Sequence, residues 1–477
     1  MTAQRPLSPF ESGYFAADAR LGSVPIGGMP LFIGSAVRGE VDAGILRRVL
    51  TELADGHVLL RSRMHTVDGV ARFVAEERVT PPLSVRAGGV DEYWDLVNSP
   101  QDWDAGLFRA VLLRGTRESR VVLVIHHGIS DGRSAFALLE EMWRRYTAHA
   151  AGTVLPPHDS DRELIGGVDE LLARTVTDAQ VDGFLAQLGR EIAVASPQDA
   201  PRTLPHDGDG IGDPGGRLAL RRIELSPRHT AELVDVARGR GISVNSVLAG
   251  AALAAVRGEI AGDGPIPLMC GHAADLRPET SPRLAVSAIL NCASGAGTPA
   301  PVDRDADPLA VGAIVDATMR VMLETRFPAL FMRAAQRRLE PQLAAMLSQP
   351  PAIALSNMGR LPAHPMPRSL EFVRDEVFAM AAGMPPKMTI FTVGGRLTVQ
   401  VEYDTAEHSH TRMGRIAEAM SDRLARVAHM AAGQLRVRPA HGAVPEKAPR
   451  RLSAVHAGAT RLRARVVRRG LLLRPRG

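Results

Sequence analysis

The 477-residue chain is 45% hydrophobic and 23% charged, ordinary globular values that exclude a disordered, collagen-like or disulfide-rich protein. Twelve Lys/Arg stand against one Glu in residues 433–477, so that segment carries +11 and residues 1–432 carry −6, and the sequence pI of 9.7 reflects an appendage rather than the body. The appendage has no aromatic side chain to stack on bases, which argues against a nucleic-acid partner.

The length exceeds what one hydrophobic core usually organises, so two lobes of roughly 200 residues are expected. Neither cysteine, Cys270 or Cys292, lies in a CxxC or Cys/His ligand spacing, which predicts neither a structural zinc site nor a disulfide framework and fits a reducing cytoplasm. The opening MTAQRPLSPFESGYF has no apolar signal core, and the longest apolar stretch, Val247 to Val256, is far short of the ~20 residues of a membrane span.

In chain order, residues 1–150 read as an α/β lobe. Helical spacing runs from Val41 to Leu60, and Val121-Val122-Leu123-Val124-Ile125 is the continuous β-branched run of a strand covered on both faces. From Ser134, Phe136, Leu139, Met142, Trp143 and Tyr146 recur at three- and four-residue steps, placing Glu140, Glu141, Arg144 and Arg145 on the opposite face of a helix. Residues 151–216, with Pro156-Pro157 and HDGDGIGDPGG from His206, read as a linker or crossover enclosing one or two helices around Val168 to Ala193. A second lobe spans 217–432. Its predicted elements are a strand over Leu218–Leu225, a helix over Pro227–Arg238, a helix through Arg257 capped by Ser243, strands at Ala352–Leu355, Met388–Val393 and Leu397–Tyr403, and a closing helix over Thr411–Ala431. Residues 433–477 form a basic tail, either disordered or an amphipathic helix with Leu452, Val455, Ala459, Leu462, Val466 and Leu473 near one stripe, as in helices lying on anionic membranes.

The segment that carries chemistry is His126-His127-Gly128-Ile129-Ser130-Asp131-Gly132, between the buried strand and the amphipathic helix. A strand end can hold an imidazole at a fixed, recessed point, and an unperturbed histidine pKa near 6.5 suits proton abstraction at neutral pH. Gly132 is expected to supply a backbone conformation closed to other residues. Asp131 can orient the loop or form an ion pair, and His126 can pack or hydrogen-bond the loop. An Asp-Gly turn capping a strand is the plain structural alternative. No GxSxG elbow occurs, and the cysteines have no His-bearing motif, so covalent Ser or Cys catalysis has no sequence support.

HHxxxDG after a hydrophobic strand resembles the signature of the chloramphenicol acetyltransferase-like superfamily, which includes condensation domains and wax ester synthases. Leu7-Ser8-Pro9, His57-Val58-Leu59-Leu60-Arg61, Ile242 to Val247 and Asp275-Leu276-Arg277-Pro278 extend the resemblance toward polyketide-associated acyltransferases such as the phthiocerol/phthiodiolone dimycocerosyl transferases. It implies an α/β fold of mixed sheets, in which two acetyltransferase-like lobes form a pseudo-dimer around an interlobe channel. It also implies that His127 is the general base and that Asp131 is structural, paired with Arg277 from the other lobe, a two-pronged salt bridge being the geometry expected of a guanidinium on a carboxylate. Ser356 and Asn357, after a short apolar strand, resemble a channel-bordering segment whose polar groups suit an oxyanion, against the competing reading of a strand-ending turn.

The expected reaction is direct acyl transfer from an acyl-CoA or carrier-protein thioester to a hydroxyl-bearing lipid or polyketide-type acceptor, with no metal or redox cofactor. A wax ester synthase/diacylglycerol acyltransferase-like enzyme, a stand-alone amide-forming condensation enzyme and a noncatalytic carrier-docking scaffold are the alternatives. The expected location is cytoplasmic, with the tail a candidate for peripheral contact at the inner membrane surface.

Overall fold

The computed structural model describes residues 3–153, 155–156 and 163–435; the basic tail and its expected helix lie outside them. The first part of the chain forms β1 (Gln4–Pro6), α1 (Pro9–Phe15), β2 (Arg20–Leu21), β3 (Val24–Pro25), β4 (Pro30–Arg38), α2 (Ala43–Gly56), β5 (Ser62–Val67), β6 (Val70–Ala75), β7 (Leu83–Ala87), α3 (Val90–Asn98), β8 (Phe108–Arg114), β9 (Ser119–His126), α4 (Gly132–Ala150), α5 (Val168–Leu172) and α6 (Asp178–Val194). The second part forms β10 (Leu218–Leu225), α7 (Pro227–Arg240), α8 (Val244–Arg257), β11 (Ile266–Asp275), β12 (Ala293–Val302), α9 (Pro308–Glu324), α10 (Phe327–Ala334), α11 (Pro341–Leu347), β13 (Ile353–Leu361), β14 (Glu371–Phe378), β15 (Lys387–Val393), β16 (Arg396–Asp404) and α12 (His410–Leu435).

Two mixed sheets organise the molecule. One has the order β14-β4-β9-β8-β7 and the other β10-β16-β15-β13-β11-β12. All eight residues of β9 are buried, as its unbroken apolar pattern requires of a strand covered on both faces. Helix α2 is capped by Asp42, whose carboxylate accepts from the amides of Gly44 and Ile45, and buries Leu46, Val49, Leu50 and Leu53 on one stripe. The expected helix to Leu60 ends at Gly56 because His57 takes an extended conformation, and a short 3-10 turn, Val58–Arg61, follows. Ser243 caps α8 by accepting from the amide of Ser246, and every residue from Ser246 to Arg257 is buried, so α8 is a core helix. No single helix among the described residues is long and apolar enough to cross a membrane.

The division by chain position is crossed in two places. Strand β14 leaves the second half of the sequence and pairs antiparallel with β4, placing Val377 opposite Ile33 in the first sheet. Helix α5, inside the expected linker, joins the first lobe: the amide of Phe10 donates to Asp169 at 3.2 Å.

On α4, Glu141 and Arg145 are buried rather than outward. Arg145 Nε donates to Glu141 Oε1 at 2.8 Å, Glu141 Oε2 lies 3.0 Å from His57 Nε2, and Arg145 Nη1 donates to Glu52 at 3.1 Å. Pairing offsets the cost of removing these charges from water.

Candidate active site

β9 ends at His126, and the next amide, of His127, donates to the carbonyl of Met29 at 2.9 Å, extending the pairing with the β4 side by one residue. His126 points into the fold. Its ring stacks on Phe15 at 4.2 Å with an interplanar angle of 5°, and its Nδ1 accepts from the amide of Gly128 at 3.0 Å. Burial and the neighbouring His127 depress its pKa to about 3, so it is a neutral packing residue.

His127 is only partly buried. Tyr14 of α1 stacks on its ring at 5.5 Å and 22°. The side-chain nitrogen of Asn291 donates to the His127 carbonyl at 2.8 Å and lies 3.2 Å from its Nδ1, while Asn291 Oδ1 accepts from the amide of Ala293 at 3.1 Å. Burial raises the Tyr14 phenol above its ordinary value, with the Asn291 side chain acting in the opposite direction. Burial pulls the His127 pKa below the usual histidine range, against opposing contributions from the carbonyls of His127 and Ser130 and from Asp131, while Lys387 lowers it further. The imidazole is therefore neutral at physiological pH. Neither Tyr14 nor Asn291 was singled out from the sequence: one lies in the opening helix, the other in a short segment with no local motif.

Asp131 does other work. Its Oδ1 accepts from the amides of Arg133 and Ser134, both at 3.0 Å, as the N-cap of α4. Its Oδ2 accepts from Arg277 Nη1 and from the amide of Cys292, both at 2.8 Å. The contact with Arg277 is thus one-pronged rather than bidentate, because the cap occupies the second oxygen. The other arginine donors serve the second lobe: Nη1 also reaches Asp275 Oδ1 at 3.1 Å, and Nη2 donates to the carbonyl of Leu290 at 3.0 Å. Burial opposes the charge of Arg277, but Asp131, Cys292 and Asp275 outweigh it and raise its pKa.

Gly132 is the first residue of α4 and is not in the left-handed region, so unusual torsions do not explain it. A Cβ there would lie 2.7 Å from Met358 Sδ, so the methionine side chain of β13 packs over the glycine. Ser356 and Asn357 lie within β13 rather than after it. The pairing of β13 with β15 shifts between Asn357 and Arg360, where Gly359 has φ +78° and its amide donates to Asn357 Oδ1 at 2.8 Å, so the chain bulges and continues. Asn357 Nδ2 donates to Asn245 at 3.1 Å, committing both ends of that amide within the second lobe; Ser356 stands opposite Thr389. Among the described residues, no hydrogen bond joins either to His127, and no cluster of three or more His, Cys, Asp or Glu side chains could hold a metal.

A cavity of about 590 Å³ is lined from both halves of the chain, by Arg20, Ser23, Phe331, Arg337, Met384 and His408 among others, but not by His127.

A histidine at a strand end, held by a helix from its own lobe and by an asparagine from the other, stands at the junction of two mixed sheets, and the known structures that share this plan can be compared over nearly the whole chain. Polyketide synthase associated protein 5 from Mycobacterium tuberculosis superposes with a TM-score of 0.66 over 90% of this chain and 100% of its own, at 19% identity. The chain shares the two-lobed fold of that protein. A trichothecene 15-O-acetyltransferase from Fusarium sporotrichioides shares the fold at a TM-score of 0.68 and 12% identity, covering 89% of this chain and 95% of its own. In sequence, residues 214–402 match the family described as phthiocerol/phthiodiolone dimycocerosyl transferase C-terminus. A phthiocerol/phthiodiolone dimycocerosyl transferase of Mycobacterium ulcerans (strain Agy99) is 26% identical over 346 residues, 71% of this chain and 78% of that protein.

Proposed function

We propose that His127 is the general base with which this acyltransferase moves an acyl group directly from a thioester to an acceptor hydroxyl. The observation that carries the reading is the division of work in the HHxxxDG loop: Asp131 is spent on the cap of α4 and on Arg277, while the neutral, partly accessible imidazole is fixed by Tyr14 and Asn291. The neutral ring has a lone pair on one nitrogen. That nitrogen takes the acceptor hydroxyl proton as the oxygen attacks the thioester carbonyl carbon; the C–S bond then breaks, and the imidazolium returns the proton to the departing thiolate. The reaction balances with no metal or redox partner. Ser356, beside Thr389 on the second sheet, is the candidate to meet the carbonyl oxygen.

A donor borne on a carrier protein, alongside acyl-CoA, finds support in the structural neighbour named for its association with a polyketide synthase, and a lipid or polyketide-type hydroxyl acceptor in the dimycocerosyl transferase relatives. Thiol release from a panel of acyl-CoAs, with long-chain alcohols and glycolipid diols as acceptors, tests the mechanism. His127→Ala should lower the acceptor-dependent rate about 10²- to 10⁴-fold; an unchanged rate refutes the assignment. The basic segment 433–477 is the candidate for membrane contact. Full-length chain should sediment with anionic liposomes and a chain ending at Leu435 should not, and equal sedimentation would sink that role.

A further inference from the structure

The residue that holds His127 and the residue that holds Asp131 are neighbours in the second half of the chain. Asn291 Nδ2 donates to the His127 carbonyl at 2.8 Å and lies 3.2 Å from its Nδ1, and the amide of Cys292 donates to Asp131 Oδ2 at 2.8 Å. Two consecutive residues thus span the HHxxxDG loop, and a closed ring runs from His127 through the loop to Asp131, across to Cys292 and back through Asn291. The spanning residues are themselves held on both sides. Arg277 Nη2 donates to the carbonyl of Leu290 at 3.0 Å, and the carbonyl of Cys292 accepts from the amide of Leu276 at 2.9 Å. Arg277 Nη1 meets the ring at the oxygen that receives the Cys292 amide, Asp131 Oδ2. Leu290, Asn291, Cys292, Asp131 and Arg277 are all buried. Because Asp131 Oδ1 caps α4, the ring ties His127 to the start of that helix as well as to β12, which begins at Ala293.

We propose that Leu290–Cys292 is a splint across the HHxxxDG loop, and that Arg277 is a positioning residue of the acyl transfer, which acts on His127 by setting this segment so that Asn291 meets the histidine. The inference rests on the acyltransferase reading, in which the place of His127 governs the rate. It goes beyond an ion pair that fastens two lobes. For fastening, the contact of Arg277 with Asp131 is enough; the bonds to the Leu290 carbonyl and from the Cys292 amide lie on either side of Asn291 and fix the backbone from which its side chain reaches across. The tolerance is that of a hydrogen bond, and a catalytic group displaced by about 1 Å can lose on the order of 10²-fold in rate. The splint also explains why the lobes meet at this point: the second lobe supplies no proton acceptor of its own to the reaction, but supplies the support that orients one.

The test compares Arg277→Lys, Asn291→Ala and the double variant in the full-length chain, with turnover of an acyl thioester and acceptor normalised to folded protein. Lysine keeps a cation for Asp131 and gives up the second donor to Leu290. Arg277→Lys should lower kcat on the order of tenfold with donor KM unchanged. In the Asn291→Ala background the same substitution should cost less than about twofold, because the route from Arg277 to His127 is already cut. An unchanged kcat in Arg277→Lys, or two losses that multiply in the double variant, overturns the proposal. If Arg277→Lys does not fold, Asp131→Asn takes its place in the cycle, since it leaves one oxygen for the cap of α4 and removes the carboxylate that Arg277 and Cys292 share. In protein carrying ¹³C-labelled histidine, the His127 ring resonance, assigned by its loss in His127→Ala, should move in Arg277→Lys toward its position in Asn291→Ala; an unmoved resonance also overturns the proposal. A wild type that turns over no thioester would count instead against the acyltransferase reading, and the resonance would still decide whether Arg277 acts on His127.

Discussion

At the scale of single residues, the site works by committing each polar atom to fixed partners. Asn291 is the residue whose removal tests this most directly, because its amide nitrogen holds the His127 carbonyl and borders the ring while its oxygen is fixed by Ala293. If His127 is the base as proposed, Asn291→Ala should lower kcat by about tenfold or more through misplacement of its ring, with donor KM little changed. A variant that loses KM but keeps kcat would show Asn291 to be a substrate contact instead. The sequence disclosed His127, Asp131 and Gly132 because they are consecutive and their spacing is itself a signal. Asn291 sits 164 residues beyond His127 and Tyr14 lies within an ordinary capped helix, so only folding brings them to the ring.

At the scale of elements, periodicity locates α2, α4, α7, α8 and α12 with β9, β10, β15 and β16, but not α9 or the interior strands β4, β8 and β11, and it fails where pairing rather than composition makes the structure. Strand β12, Ala-Ser-Gly-Ala-Gly-Thr-Pro-Ala-Pro-Val, is built from residues that disfavour strands, and its ten-residue ladder with β11 defines it. Helix α8 shows the converse, a propensity that packing overrides. It crosses α9 so closely that a Cβ at Gly250 would sit 2.1 Å from the carbonyl oxygen of Pro308 and 2.7 Å from the amide nitrogen of Gly312. Gly250→Ala should therefore destabilise the protein by about 1–3 kcal/mol, although alanine is the better helix former. Gly183→Ala, on exposed α6 with no atom within 4 Å of the added methyl, should stabilise it by roughly 0.5–1 kcal/mol. Urea unfolding of both variants checks the pair; a stabilising Gly250→Ala would mean that the two helices can separate at little cost.

At the scale of the whole molecule, the lobes are legible in the sequence as two α/β halves, but what fastens them is not, since each fastening joins positions hundreds of residues apart or within different sheets. Strand β14 carries the second half into the first sheet, Gln400 Nε2 donates to the carbonyl of Val377 on that strand at 2.8 Å, and Arg277 spans to Asp131. Buried neutral histidines lie in both lobes, which makes the assembly sensitive to acid. Burial holds His126 at about 3 and His272 at about 4, against about 6.5 in an unfolded chain. Below pH 6.5 the unfolded chain takes up protons that the fold refuses, so stability falls as pH drops from about 6.5 toward 4, and His126 carries the loss on toward 3. His272 is the cleaner probe because it lies away from the HHxxxDG loop, with Nε2 2.8 Å from Thr298 and Nδ1 3.3 Å from Asn245. His272→Gln keeps a polar side chain in that pocket and removes one titrating group. Urea midpoints measured between pH 7 and pH 4 should then decline less steeply, by about one proton's worth of slope, than in the wild type. An identical decline in both would mean that His272 titrates in the fold as it does in the unfolded chain.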